Sequence, residues 1–382
     1  MRSGSTGCSR RDMLTAMVVV GATAAAVPGR AETTTAAAST APRCTPDLGV
    51  RGMSLPSWWS GTYHSERFTE SLASLRRLGF NAVAIIPNLF LKSADASQIY
   101  ASEQSESVES VAHAAQLAGE QGLRVMIKPH LSVQGFTQPP QAINPSDREA
   151  FFENYRAYIR RYAELAQSTR AYQFAIGAEL SQLTGAGERD QWLRVIDDAR
   201  RYYHGPLVYA ANWGEDQTVS FWDAVDYIGI DMYAPMAIAT RPTASAAPIT
   251  PEAIIERWTK APAVPDGEGV YGRSAYIDLF REMAAKHGKR ILFTEIGVRS
   301  VEGALARPWD YEKSYTFADF NVQTAFYEAL MQIACEQNDG WLAGMYLWGW
   351  RVDAQPTGKD WIADFSIENK PAAGVVKRFF GG

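Results

Sequence analysis

The sequence predicts an α/β protein with a single catalytic domain folded as a (β/α)8 TIM barrel. Eight short apolar segments alternate with amphipathic segments along the chain. A glycine follows three of the amphipathic segments, at Gly79, Gly122 and Gly288, where a helix ends and the chain turns back into a parallel strand. The first apolar segment is not followed by the Gly-rich phosphate loop of an open doubly wound sheet. The 382 residues suffice for one barrel with a leader and insertions.

The predicted strands are short apolar runs of the kind buried on both faces in parallel sheets. They cover Val50–Leu55, Ala82–Pro87, Arg124–Lys128, Tyr172–Gly177, Leu207–Ala211, Tyr227–Met232, Arg290–Thr294 and Ala343–Leu347.

The predicted helices lie between these strands and repeat apolar residues at helical spacing. They cover Glu66–Leu78, Ser105–Gln121, Pro145–Ser168, Glu188–Tyr203, Ser274–His287 and Asn321–Gln337. In the third, the aromatic stripe that includes Phe151, Tyr155 and Tyr162 is predicted to be core. An insertion from residue 234 to about 272 follows the sixth strand, and we expect it on the catalytic face as a lid, a subsite wall or a mobile extension.

The N-terminal residues are predicted to lie outside the fold. Arg10 and Arg11 precede an uncharged segment and then a small-residue cleavage site near Ala31, which is the layout of a twin-arginine signal peptide over residues 1–31. Residues 32–43 indicate a flexible linker, and residues 44–382 the catalytic domain. We therefore expect a periplasmic or secreted protein, exported by the twin-arginine pathway and free of the membrane after cleavage.

Composition and cysteine usage narrow the possible partners. The net charge of −5 and the lack of Lys/Arg runs argue against nucleic acid, and we expect a monomer. Outside the leader only Cys44 and Cys335 remain, either as one disulfide in an oxidising compartment or as two unpaired thiols. With five histidines and no His-x-His after the first strand, we expect no metal and no cofactor.

Two glutamates close apolar strand segments, Glu179 after the fourth and Glu295 at the end of the seventh. Burying an ionised carboxylate is costly, so two at equivalent positions indicate a site that needs them. The C-terminal ends of barrel strands are where catalytic groups lie, and paired carboxylates are the groups that hydrolyse glycosidic bonds. The alternative is that each glutamate pairs with an Arg or Lys under a loop.

Other strand ends also carry polar or aromatic residues, which a barrel would direct into one bowl. The candidate substrate-binding residues are Asn88, Lys128, His130, Asn212, Trp213, Asp231, Tyr233, Trp348 and Trp350, with Trp58 on the first loop. Amide and imidazole groups would bind hydroxyls, and indoles would stack on sugar faces. Core packing, a strand-end cap or an ion pair remain alternatives for several of them, and Tyr233 is also a candidate donor to Glu295.

The motifs Gly177-Ala-Glu179-Leu and Phe293-Thr-Glu295-Ile-Gly297, with Asp231-Met-Tyr233 and Trp348, resemble the clan A retaining glycoside hydrolases. From about residue 50 to 380 the chain is most similar to glycoside hydrolase family 113, the β-mannanase family. The resemblance implies that Glu179 is the acid/base and Glu295 the nucleophile of a double displacement. It also implies a β-linked polysaccharide or oligosaccharide as the substrate, with β-mannan as the first candidate.

One residue departs from the clan A pattern. Ala178 stands where much of the clan has an Asn that binds the sugar 2-hydroxyl. Either Asn212 or His130 replaces it, or the configuration accepted at C2 of the sugar differs. The other interpretations are a non-catalytic exported carbohydrate-binding barrel, a metal-dependent hydrolase, and a glycosidase acting on xylan, glucan, galactan or an exopolysaccharide. The presence of both glutamates favours an enzyme. Their carboxyl groups are predicted to lie about 5–5.5 Å apart, as in retaining enzymes.

Overall fold

The computed structural model describes residues 44–236, 249–265, 269–311 and 317–381, which belong to one compact unit. The predicted signal peptide and linker, and part of the predicted insertion, lie outside these residues. The described residues form ten strands: β1 (Val50–Pro56), β2 (Ala82–Ile86), β3 (Asn88–Leu91), β4 (Arg124–Ile127), β5 (His130–Val133), β6 (Gln173–Ala178), β7 (Leu207–Asn212), β8 (Tyr227–Met232), β9 (Ile291–Ile296) and β10 (Leu342–Leu347).

Eight of the strands close into a parallel barrel in the order β1, β2, β4, β6, β7, β8, β9, β10, with β10 pairing back to β1. These are the eight predicted strands, with ends that differ by at most two residues. The prediction of a (β/α)8 barrel is confirmed.

Side chains alternate between the inside and the outside of the barrel wall. In β2, Ala82, Ala84 and Ile86 belong to the cluster that fills the barrel, while Val83 and Ile85 join the larger core beneath the helices. Both faces of the strands are therefore buried, which explains their continuous apolar sequence. The same alternation determines which strand-end residues point into the catalytic bowl.

The helices cover the outside of the barrel. They are α1 (Glu66–Arg77), α2 (Val108–Glu120), α3 (Arg148–Ser168), α4 (Arg189–Tyr202), α5 (Pro251–Thr259), α6 (Tyr276–His287), α7 (Phe320–Glu336), α8 (Gly358–Ile362) and α9 (Pro371–Phe380). All six predicted helices are present, whereas α5, α8 and α9 were not predicted. The side chains of Ser65, Ser107 and Asp147 cap α1, α2 and α3, each accepting a hydrogen bond from a backbone N–H of the first turn. No described helix is long and apolar enough to cross a bilayer.

A second, two-stranded parallel sheet lies directly beyond two barrel strands. Pro87 follows β2 and Pro129 separates β4 from β5, and a proline cannot donate to a strand ladder. Pairing then resumes in β3 and β5, with Asn88 opposite His130. These two residues, predicted as strand-end loop residues, therefore begin a small sheet at the catalytic face.

The closed barrel also settles the question of the two cysteines. Cys44 precedes β1, Cys335 lies in α7 just before β10, and β1 and β10 are neighbours. The two residues form a disulfide with a Cα–Cα distance of 6.1 Å. The bridge spans 291 residues of sequence, and it joins the first and last units of the barrel.

Candidate active site

The fold places both glutamates at the C-terminal ends of barrel strands. Glu179 follows β6, the fourth barrel strand, and Glu295 is the next-to-last residue of β9, the seventh. Glu295 is 4% exposed and Glu179 is half-buried. The charge of Glu295 contributes to the raised pKa of Glu179, so the two groups share one electrostatic environment. Their predicted carboxyl separation stays a prediction.

An irregularity in β9 directs Glu295 toward the bowl. Leu292 packs inside the barrel and Phe293 outside, so strict alternation would direct Glu295 outward. However, Ile230 lies opposite Phe293 while the next residue, Asp231, lies opposite Glu295, so β9 carries one extra residue. A bulge of this kind changes the direction of the side chain that follows it.

The backbone at Glu179 is also unusual. Its φ is +54°, in the left-handed region that costs a non-glycine residue about 1–2 kcal/mol. It follows a register shift between β6 and β7. The Glu179 N–H donates to the Ala210 carbonyl at 2.8 Å, and the Leu180 N–H donates to the Tyr209 hydroxyl at 2.9 Å. The conformation is therefore held by β7.

Each carboxylate oxygen of Glu295 accepts a hydrogen bond from a buried donor. Lys128 Nζ lies 2.6 Å from Oε1, and the Tyr233 hydroxyl donates to Oε2 at 2.8 Å. Lys128 also bonds both oxygens of Asp231, at 3.0 and 3.2 Å, and Thr294 Oγ1 donates to Asp231 Oδ1 at 2.6 Å. The predicted contact from Tyr233 is confirmed, and the orientation of Glu295 is set from two sides.

The two glutamates differ in what favours their charged forms. Burial raises the pKa of Glu179 well above its usual value, the charges of Asp231 and Glu295 add to this, and Lys128 opposes it. No hydrogen bond from the described residues stabilises its carboxylate. Burial and Asp231 raise the pKa of Glu295 to about 7, and Lys128 and Tyr233 oppose the rise. Glu179 is thus the better proton holder and Glu295 the better anion.

Lys128 remains charged although it is buried. Burial lowers the pKa of its ammonium group, but Asp231 and Glu295 outweigh that effect, and the net shift is upward. A buried cation between two carboxylates leaves one net negative charge for the three side chains. Burial raises the pKa of both Asp231 and Glu295, and the positive charge of Lys128 opposes that rise in each.

His130 faces the same glutamate but does not bond to it. Burial, together with the charge of Lys128, lowers the pKa of His130 well below its usual value, so the imidazole is neutral. Its Nε2 lies 3.6 Å from Glu295 Oε1, too far for a hydrogen bond, and has no partner among the described residues. A buried polar atom without a partner, beside a candidate nucleophile, is a position where a ligand would bind.

Three predicted substrate-binding residues do not reach the bowl surface. Lys128 and Asp231 are both 0% exposed, because their ion pair lies beneath Glu295. Trp350 is 1% exposed and belongs to the core outside the barrel, two residues beyond the inward-facing Trp348. We therefore correct their roles: Lys128 and Asp231 support Glu295, and Trp350 packs the core.

The two asparagine candidates differ in whether the protein already hydrogen-bonds their side-chain amides. Asn88 is 1% exposed; its Nδ2 donates to the Ser57 carbonyl at 2.9 Å and its Oδ1 accepts from Ser132 at 3.0 Å. These bonds fit the alternative of a strand-end cap. Asn212 ends β7 half-buried, with no partner for its side-chain amide among the described residues. Its position leaves it available to a ligand.

The indoles lie at different depths in the bowl. Trp348 is 4% exposed and packs in the cluster inside the barrel, with Trp58 and Trp213 half-buried against that cluster. Trp58 meets Phe136 edge-on with ring centroids 5.5 Å apart. Contact of these three with substrate stays a prediction.

Sequence reasoning missed two aromatic residues on the loop after β9. Burial raises the pKa of the Tyr311 hydroxyl, and the charges of Glu295 and Glu179 raise it further, so the hydroxyl lies within electrostatic range of both glutamates. Trp309, 38% exposed, lies beside Trp213 with ring centroids 5.5 Å apart. This loop lies outside every periodic segment, and no sequence pattern indicated its approach to the site.

In the described part of the chain, no group of three or more His, Cys, Asp or Glu side chains is arranged to bind a metal ion.

The sequence profile of Glycoside Hydrolase Family 113 matches residues 57–370. The chain belongs to glycoside hydrolase family 113. It is therefore a glycosidase built on a (β/α)8 barrel, as the sequence predicted. No curated protein sequence matches this family 113 member.

Solved structures agree on the fold. The GH113 β-mannanase from Alicyclobacillus acidocaldarius, in complex with ManMIm, has a TM-score of 0.72 at 26% identity, over 88% of this chain and 98% of that one. A GH113 β-1,4-mannanase complex has a TM-score of 0.71 at 21% identity, over 87% and 99%. A Faecalibacterium prausnitzii β-glucuronidase has a TM-score of 0.56 at 13% identity and matches over 88% of this chain and 49% of its own, which is a likeness of fold alone.

Proposed function

We propose that this family 113 glycosidase is a retaining enzyme that cleaves β-mannan or its oligosaccharides by double displacement. The observation that carries the proposal is the contrast between its two strand-end glutamates: the pKa of Glu179 is raised and no described group donates to its carboxylate, whereas Glu295 binds a buried cation and a phenol. The β-mannanase from Alicyclobacillus acidocaldarius supports β-mannan as the substrate.

In the first step, the Glu179 carboxylic acid gives its proton to the glycosidic oxygen while a Glu295 oxygen attacks the anomeric carbon. The bond from that carbon to the leaving oxygen breaks, and a glycosyl ester of Glu295 forms. Lys128 and Tyr233 hold the Glu295 carboxylate in place and favour its ionised form before attack.

In the second step, the Glu179 carboxylate takes a proton from water, whose oxygen attacks the same carbon. The ester bond breaks, Glu295 is released as a carboxylate and Glu179 is again an acid. Two inversions at one carbon return the β configuration.

The missing Asn before the acid/base needs a substitute. We propose His130 as the group that binds the 2-hydroxyl, because its neutral Nε2 has no partner among the described residues and lies 3.6 Å from Glu295 Oε1. The 2-hydroxyl is on the carbon next to the one Glu295 attacks, so a polar atom beside Glu295 is within reach of it. Asn212, whose amide is open at the end of β7, is the second candidate.

We further propose that the enzyme acts as a monomer in the periplasm or outside the cell, after export through the twin-arginine pathway. The disulfide between Cys44 and Cys335 supports an oxidising compartment.

The test of this function is incubation of the purified protein with β-mannan, xylan, β-glucan and galactan, with the products followed by ¹H NMR. We expect mannan to be cleaved fastest, and the β anomer to appear before mutarotation produces the α anomer. Cleavage of another glycan in preference to mannan would overturn the substrate, and an α anomer that appears first would overturn the double displacement.

A further inference from the structure

Glu215 is a buried carboxylate that the double displacement does not use. It begins a short 3-10 helix, Glu215–Gln217, in the loop after β7, and it is 8% exposed. Four donors saturate its oxygens. Oε1 accepts from the Tyr209 hydroxyl at 2.6 Å and Thr184 Oγ1 at 3.1 Å, and Oε2 accepts from Ser181 Oγ and the Asn212 N–H, both at 2.9 Å.

Most of these contacts lead to the segment that carries Glu179. Ser181 and Thr184 are two and five residues beyond Glu179. The Tyr209 hydroxyl, while donating to Glu215, accepts from the N–H of Leu180, the residue after Glu179. A chain of two hydrogen bonds thus joins Glu215 to the peptide next to the left-handed Glu179.

Packing on several sides fixes the position of the Tyr209 ring, and with it the hydroxyl that joins Glu215 to Leu180. Its ring lies against Gly177 of β6, where a Cβ atom would come within 2.9 Å of the ring. It also packs edge-on against Trp192 and Phe221, with centroids 5.1 and 5.3 Å away. A tyrosine packed on three sides places its hydroxyl at one point.

We propose that Glu215 is a positioning residue for Glu179, which it holds through Tyr209 and the segment 180–184 in the orientation that protonates the leaving group. This inference rests on the proposed role of Glu179 as the acid/base. A position error at a proton donor matters most for substrates whose leaving group needs the proton.

The chain offers a matched control in Glu106. It is 4% exposed and also accepts four hydrogen bonds. They come from Ser57 Oγ at 2.9 Å and the Tyr63 N–H at 3.2 Å to Oε1, and from the Gly61 N–H at 2.9 Å and Ser110 Oγ at 2.7 Å to Oε2. These donors belong to the loop after β1 and to α2, not to the segment that carries Glu179.

The experiment measures kcat/KM for a series of aryl glycosides of the preferred sugar, from dinitrophenyl to unsubstituted phenyl. Glu215→Gln, Tyr209→Phe, Glu106→Gln and the reference Glu179→Ala are compared with the wild-type enzyme. For Glu215→Gln and Tyr209→Phe we expect a loss of about tenfold or more on the phenyl glycoside and less than about threefold on the dinitrophenyl glycoside. Glu106→Gln should lower all rates by one common factor.

Tyr209→Phe keeps the ring and removes only the hydroxyl that joins Glu215 to Leu180, so it carries the test if Glu215→Gln does not fold. In the Glu179→Ala background, adding Tyr209→Phe should leave the leaving-group dependence unchanged, because both changes act through one group.

Equal losses across the series in both positioning variants would overturn the inference and leave Glu215 as a support of the fold. If Glu179→Ala itself shows no leaving-group dependence, the proposed role of Glu179 fails instead. The reference variant therefore separates the two failures.

Discussion

At the scale of single residues, two glutamates with the same side chain are given different chemistry by their neighbours. Glu179 has burial and the negative charges of Asp231, Glu295 and Glu215 around it. Glu295 instead has Lys128 and Tyr233 on its oxygens. Desolvation of the carboxyl group is the largest cause of the raised pKa in both, and the charge of Asp231 adds to it in both. Only Glu295 has donors that bind its charged form, and the division of roles follows from that difference.

Replacing each glutamate by alanine should cost activity in a different way. Glu295→Ala should lose at least about 10²-fold in rate on every substrate, because no other group can form the ester. Glu179→Ala should lose as much on unactivated glycans but keep kcat/KM on dinitrophenyl glycosides, whose leaving group needs no proton. Steady-state kinetics on the two substrate types checks this. The same loss on both types for Glu179→Ala would reverse or cancel the assignment.

Lys128→Met should alter both the pH profile and the stability. Glu295 must be ionised to attack, and its pKa of about 7 sets the acid limb of kcat/KM, so activity falls as pH drops below about 7. Without the ammonium, Asp231 and Glu295 repel each other, the pKa of Glu295 rises, and the acid limb moves to higher pH. Breaking a buried ion pair should also cost about 3–5 kcal/mol of unfolding free energy.

Thr294→Val is the control for Lys128→Met, because it removes a neutral donor to Asp231 and leaves the cation in place. We expect it to move the acid limb much less. An acid limb that stays in place in Lys128→Met would show that the cation does not set the ionisation of Glu295.

At the scale of elements, short departures from regular strand geometry create the site. Each of β6 and β9 carries an extra residue relative to its neighbour near its C-terminal end, and these are the two strands that present the glutamates. The second sheet of β3 and β5 likewise begins with Asn88 and His130. Bulges and proline breaks thus convert regular strand ends into a polar bowl.

Gly177→Ala tests how closely β6 packs against its surroundings. An added Cβ would lie 2.8 Å from the Tyr155 hydroxyl and 2.9 Å from the Tyr209 ring, so β6 or these rings must shift. We expect a loss of about 1–3 kcal/mol of unfolding free energy, measured by chemical denaturation, and lower activity because Glu179 is two residues away. Gly187→Ala, with open space at its Cβ position, should change stability by less than about 0.5 kcal/mol. Equal stability of the two variants would contradict close packing at Gly177.

At the scale of the whole molecule, closure of the barrel brings the two ends of the domain together. β1 and β10 pair directly, and the Cys44–Cys335 bridge lies before the first strand and before the last, at the end of the barrel away from the bowl. A cross-link over 291 residues restricts mainly the unfolded chain.

Cys44→Ser with Cys335→Ser should therefore lower the unfolding free energy by about 2–5 kcal/mol. Activity at 25 °C should be unchanged, because the bridge is remote from the glutamates. Chemical denaturation with and without reductant checks this. Reductant should lower the unfolding free energy of the wild-type protein to that of the double variant and leave that of the double variant unchanged. A double variant as stable as the oxidised wild type would show that the bridge contributes nothing.

The barrel and its two glutamates could be predicted from local patterns. Apolar runs, helical spacing and glycines after helices repeat along the chain, and parallel strands place all their C-terminal ends on one face. These patterns predict that Glu179 and Glu295 share one site, and they leave Tyr233 as a candidate donor to Glu295.

The partners of the glutamates depend on contacts between distant parts of the chain. Lys128 meets Glu295 across 167 residues and Asp231 across 103, and whether Lys128 faces the substrate or lies beneath a carboxylate depends on which groups fill the bottom of the bowl. The extra residue in β9, the sheet that starts at Asn88, and the approach of Tyr311 likewise depend on pairing and packing. Residue periodicity reports only which face of its own element a side chain occupies, so it does not identify the group from another element that meets it there.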